Sequence, residues 1–135
     1  MCQAIKFTIN HHPILFRFSD SAPCLPILMR NGNIIILPWG NKGERLGLYP
    51  IGATAHIAHV QSDKWKSHRP KSVRIACEAF MLLDKEGDEH WFDNQTSNPY
   101  IRGIVATEPL ADTVYVLMRN RDLLEPDISQ EWPVK

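Results

Sequence analysis

The chain has 135 residues, with 15 Lys and Arg against 15 Asp and Glu and a formal net charge of zero. That balance excludes a global electrostatic pull toward nucleic acid or an anionic membrane, so any contact with DNA has to use a local patch. Hydrophobic residues make up 44% of the sequence, which excludes a disordered chain and suits one globular domain with a real core.

Residues 4–9 alternate apolar and polar, then His11, His12 and Pro13 interrupt, and Ile14-Leu15-Phe16-Arg17-Phe18 follows. One or two short strands are predicted. Residues 19–26 carry Asp20, Pro23 and Pro26; the two prolines remove backbone donors, so a loop is expected and a central strand is not. Residues 27–29 and 33–37 flank Arg30-Asn31-Gly32, a strong hairpin signal. The run Ile34-Ile35-Ile36-Leu37 is continuous and β-branched, as in a buried strand. Pro38-Trp39-Gly40 ends it, and residues 41–45 form a polar loop. Residues 53–60 fit a short helix or a strand equally well. Residues 61–71 are polar and basic around Trp65, and a helical turn stopped by Pro70 fits there.

The stretch 73–92 organises the rest. Val73, Ile75, Cys77, Ala79, Met81 and Leu83 share one parity, which predicts a strand. Phe80 and Leu82 make the other face apolar too, so the end of that strand is expected to be covered on both sides. Asp84-Lys85-Glu86-Gly87-Asp88 supplies a charged turn, and His90-Trp91-Phe92 opens the returning strand. Residues 100–107 and 113–118 are further β-rich runs, divided by Glu108, Pro109 and Asp112. The tail is polar, with Leu123-Leu124 as its one short apolar group. The whole reads as one mostly-β, α+β domain, 1–135, of many short strands and few short helices.

The three cysteines, Cys2, Cys24 and Cys77, include no CxxC pair, the pattern of a reduced, cytoplasmic protein. No secretion signal stands at the start, and no apolar run approaches the ~20 residues of a spanning helix, so no membrane partner is expected. His56 and His59 have helical i, i+3 spacing, but two ligands fall short of the three or four that a metal needs. The basic cluster at 64–74 either tracks phosphates while Trp65 stacks a base, or is a solvated loop with Trp65 anchored in the core. No phosphate loop, dinucleotide fingerprint or Ser/His/Asp arrangement occurs, so no cofactor is expected. Cys2 stands apart by position. Removal of Met1 would leave one residue with a free amine (pKa about 7.7–8) and a thiol (about 8.5), both partly nucleophilic near neutrality. Such an aminothiol closes an aldehyde into a thiazolidine ring.

Several landmarks occur together: Met1-Cys2; Pro23 and Pro26-Ile27 before a glycine hairpin; Trp39-Gly40; Ala55-His56; the strand 75–80; then Phe80-Met81, His90-Trp91-Phe92, Gly103-Ile104-Val105-Ala106-Thr107 and Val114-Tyr115-Val116. In this order they resemble the SRAP (SOS-response-associated peptidase-like) family, closest to a short, phage-associated branch. The resemblance implies a compact SRAP-like domain with a groove for single-stranded DNA. It also implies a role in the DNA damage response, with Cys2 as the nucleophile that crosslinks to the aldehyde of an abasic site. Trp39 would line the DNA groove, and Thr54 and His56 fall where the family carries an Asn-x-Arg pair. Arg74 and Arg102 are candidate phosphate contacts of that groove.

The departures are specific. The family's catalytic Glu falls on Leu82, the acid of its Asn-Ala-Arg segment falls on Ala58, and its later His has no counterpart. Loss of a general acid typically slows a reaction about 10²–10⁴-fold. Glu78, two residues from Phe80, is the nearest substitute acid. Two functions follow as expectations: single-stranded DNA binding with capture of abasic sites through Cys2, or a catalytically degenerate module that keeps the fold and binds without covalent chemistry.

Overall fold

The computed structural model describes residues 2–43, 49–94, 97, 99–107, 109 and 111–135; Met1, the later part of the loop after Asn41, and Glu108 lie outside them. In chain order the elements are β1 (Cys2–Ile9), β2 (His12–Arg17), β3 (Cys24–Leu28), β4 (Ile34–Pro38), β5 (Thr54–His56), α1 (Ile57–Val60), α2 (Asp63–Lys66), β6 (Lys71–Ala76), β7 (Ala79–Leu83), β8 (Glu89–Asp93), β9 (Tyr100–Ala106), β10 (Thr113–Asn120) and β11 (Glu131–Pro133). The mostly-β, α+β expectation holds. One sheet runs β2-β1-β7-β8, and a seven-stranded sheet runs β11-β10-β9-β6-β3-β4 with β5 added on β10.

The first two strands pair as a hairpin with Ile9 opposite His12. Asn10 and His11 take φ of 50° and 65°, the left-handed backbone that a two-residue hairpin turn needs. The Asn-Gly hairpin also forms. Gly32, at φ 86°, donates its N–H to the Met29 carbonyl at 3.0 Å, and Met29 N–H bonds the Asn33 carbonyl at 2.8 Å.

Four expectations need correction. The strand expected over 73–83 is two strands in two sheets. Cys77 N–H donates to the Pro99 carbonyl at 3.1 Å, and Glu78 N–H to the Lys6 carbonyl at 2.8 Å. These two residues pass the chain from one sheet to the other. A two-residue connection preserves parity, so the alternation runs through the break without a mark. Pro26, assigned above to a loop, lies inside β3. The ladder from β3 to β6 covers only Ile27 and Leu28, so at Pro26 the strand has a partner on one side only, where a missing N–H is tolerated. The Ile34–Leu37 run is a strand, but Ile35 and Ile36 are 42% and 50% exposed. Finally, the tail holds more than Leu123-Leu124, which are fully in solvent; it adds β11 and buries Trp132. The ambiguous segment 53–60 is both of its alternatives in turn, β5 and then α1.

The two sheets share one core. Cys2, Ile5, Phe80 and Leu82 from the smaller sheet meet Leu25, Ile27, Ile75, Ile101, Val114 and Val116 from the larger. Each such aliphatic or aromatic side chain stabilises the fold by roughly 1.5–3 kcal/mol on full burial. Beyond β4 the chain bends so that Trp39 bridges Val114 of β10 and Gly40 N–H bonds the Val114 carbonyl at 2.8 Å. The larger sheet thereby curls back on itself. Its outer face carries a second cluster, Tyr49, Ala55, Trp65, Ile104, Ala106 and Tyr115, under the segment that contains α1 and α2. No helix among the described residues is long and apolar enough to cross a membrane.

Candidate functional site

Cys2 is a core residue. It is 0% exposed and packs with Ile5, Phe80 and Leu82. By simple alternation it would share a face with Ala4 and Lys6, opposite Ile5. A register shift between Cys2 and Ala4 in the pairing with β7 puts Cys2 against Leu82 and Ala4 against Met81. Such a one-residue irregularity turns a side chain to the other face of the sheet. The Sγ lies 3.8 Å from the Ala4 carbonyl. Burial, the largest influence, pushes the thiol up to about 12, against the smaller opposing effects of the N-terminal charge and backbone hydrogen bonds. A thiol so placed is neither exposed nor ionised near neutrality, and only the thiolate is a nucleophile. The accessible nucleophile expected at Cys2 is therefore corrected.

The other catalytic candidate is elsewhere. Glu78 precedes β7 beside Lys6, four residues along β1 from Cys2, so the two lie roughly 13 Å apart along the strand. Its carboxylate accepts from the Thr8 backbone N–H at the rim of a shallow cavity. Leu82, at the place of the family's acid, is fully buried opposite Cys2. No proton-transfer group of the described residues faces the sulfur. Trp39 is almost wholly buried. It is 1% exposed, its ring N–H donates to the Ala53 carbonyl at 2.8 Å, and Phe18 meets it edge-on at 5.5 Å. It seals the sheet closure, and with Pro23, Cys24, Leu37 and Lys42 it lines a second, smaller open cavity of about 380 Å³.

Thr54 and His56 are brought together, and on the surface. They line an open cavity of about 740 Å³ with Tyr49, Ile51, His59 and Lys64, floored by Ala55 and Trp65. That volume is in the range of ligand-binding clefts. Among the described residues no carboxylate lines it. Trp65 follows the second of its two readings: it is 4% exposed and stands edge-on to Tyr115 at 5.2 Å, so it anchors the wall and presents no face for stacking. Around it, Lys64, Lys66 and Arg69 stay in solvent. His56 is committed at both ring nitrogens. Its Nδ1 accepts from Ala58 N–H at 3.1 Å, capping α1, so Nε2 carries the proton and donates to Asn120 Oδ1 at 2.9 Å. A ring held in this way positions the cleft wall and has no lone pair left for a metal. Among the described residues no three His, Cys, Asp or Glu come together as a metal set.

Arg74 and Arg102 are also brought together. They face each other directly across the β6–β9 ladder, and both guanidiniums lie over the Tyr100 ring, at 5.6 and 5.2 Å from its centre. Tyr100, Arg102 and Ile104 alternate along β9 and share its outer face; Ile104 packs in the cluster with Trp65. The arginine pair and the cleft therefore occupy one side of the larger sheet.

No family model and no curated protein matches this chain. The site rests on its geometry. Two of its parts carried no sequence signal. Asn120 reaches His56 from 64 residues away, and Tyr49 enters the cleft wall with its hydroxyl donating to the Ala111 carbonyl at 2.8 Å. Tyr100 could have been found, since it stands two residues before Arg102 on a predicted strand.

Proposed function

We propose that the chain is a non-covalent binding module for single-stranded DNA, a degenerate SRAP-like domain that keeps the fold and lacks the capture chemistry. The observation that carries this reading is the separation of its parts. The sulfur that would form the bond is sealed between the sheets, while Thr54 and His56 stand at an open cleft with Lys64 and, among the described residues, no carboxylate. Lys64 at the rim draws a phosphate backbone even on a chain of zero net charge, because the field that matters is local. The exposed Ile51 adds an apolar side to the cleft, suited to an unpaired base.

The test is fluorescence anisotropy with a labelled, undamaged oligothymidylate over a range of salt. Binding with log K falling linearly in log salt, and weakened roughly three- to tenfold by Lys64→Gln, supports the reading. Absence of binding at low salt, or binding indifferent to salt, sinks it.

A further inference from the structure

We infer that Arg74 and Arg102, braced on Tyr100, form a phosphate clamp on the outer face of the larger sheet. The clamp holds the backbone of the strand whose neighbouring nucleotide occupies the cleft. The inference rests on the single-stranded DNA reading above and adds a second anchoring point to it.

The argument starts from an electrostatic oddity. Like charges directly opposite on neighbouring strands destabilise a sheet, yet Arg74 and Arg102 are paired in register. Neither guanidinium has a carboxylate partner among the described residues; the ion pairs present involve Arg17, His90, Arg119 and Arg121. The Tyr100 ring offsets part of the repulsion through its π face. It also fixes both planar groups on one side of the strand, half-buried, with no side-chain hydrogen bond from either guanidinium to the described residues. Two guanidiniums held in this way present converging donors to a single tetrahedral anion, the geometry that arginine serves better than lysine.

The position decides which anion. Arg102 is two residues from Ile104 along β9, roughly 7 Å, and Ile104 packs beneath the Trp65 wall of the cleft. Lys66 and Arg69 follow the cleft in the chain and are exposed. Lys64 at the cleft rim and the arginine pair thus stand on one side of the larger sheet. A polyanion reaches two such points, and an isolated phosphate would use only one of them.

The experiment uses the full chain and a fluorescein-labelled oligothymidylate of about 12 nucleotides. Its affinity is measured by anisotropy between about 0.05 and 0.3 M salt. The variants are Arg74→Gln, Arg102→Gln and Arg102→Lys, each with a thermal melt. The clamp predicts that each Gln variant binds roughly three- to tenfold more weakly. It also predicts a log K–log salt slope shallower by about 0.7 for each phosphate that is no longer neutralised. The Lys variant restores the slope but not the full affinity. The melting temperature stays level or rises, because a like-charge pair has been relieved. If the Gln variants keep wild-type affinity and slope while Lys64→Gln binds more weakly, the clamp is wrong and the cleft reading stands. If the affinity falls only in step with a lower melting temperature, the pair is structural and the clamp is wrong. If the wild-type chain does not bind the oligonucleotide, the cleft reading and the clamp fall together.

Discussion

Cys2 sets an alkaline limit on the fold. In the unfolded chain its thiol ionises near pH 8.5, whereas burial in the folded chain pushes it up to about 12; Cys77, buried beside the same core, is pushed up as well, also chiefly by burial. Above pH 8.5 the unfolded state releases these protons and the folded state retains them. Stability is therefore fully present below that pH and falls as pH rises towards 12. Urea denaturation between pH 7 and 10.5 should show this decline, and Cys2→Ala should make it shallower, leaving the share of Cys77, while lowering stability at pH 7 by about 1–2 kcal/mol through the small cavity left behind. A stability that rises from pH 8.5 to 10.5 would contradict the burial. The position of Cys2 was legible in the sequence, but its surroundings were not. Alternation gives a residue its face only while register is kept, and the shift between Cys2 and Ala4 leaves no trace in the spacing of apolar residues. Thr54 and His56 came from the resemblance alone, and the structure puts both on the cleft. The same resemblance put Trp39 on a groove, and Trp39 lines a second cavity with nearly all of its surface buried.

At the scale of elements, local chemistry was the reliable guide. Asn31-Gly32 and the charged turn before His90 both make the hairpins that their residues predict. In the second, Asp84 Oδ1 accepts from the N–H groups of Glu86 and Asp88, each at 2.9 Å, and Oδ2 meets His90 Nε2 at 2.8 Å. What local pattern could not show was the exchange of sheets at Cys77-Glu78. That exchange depends on the distant carbonyls of Pro99 and Lys6, and on parity surviving the crossing. The crowding of the larger sheet is equally non-local. A Cβ on Gly103 would stand 2.7 Å from Ile75 Cδ1 and 3.2 Å from the Tyr115 carbonyl. Gly103→Ala should therefore destabilise the domain by roughly 1–3 kcal/mol, since a packed core yields only by strain. The effect would be seen as a lower urea midpoint with an unchanged slope. An Ala variant as stable as wild type would mean that Ile75 has room to turn away.

At the scale of the molecule, the composition bounded the answer and topology supplied the rest. Forty-four per cent hydrophobic residues foretold a shared core between layers, and the many short apolar runs foretold a mostly-β domain. Neither could say which runs lie in which sheet, because that order is decided by pairings such as β1 with β7 and β3 with β6, across long stretches of chain. The arrangement has one consequence for function: the smaller sheet closes over the Cys2 sulfur, and the larger sheet turns its cationic face and cleft to solvent. The sulfur and the cleft thereby lie on opposite sides of the larger sheet. The most direct measurement is a denaturing gel of the protein, with Met1 removed so that the Cys2 amine is free, after prolonged incubation with single-stranded DNA carrying an abasic site. The account predicts no band that survives denaturation, under conditions where anisotropy shows the same DNA bound. A covalent band that disappears in Cys2→Ala would contradict it.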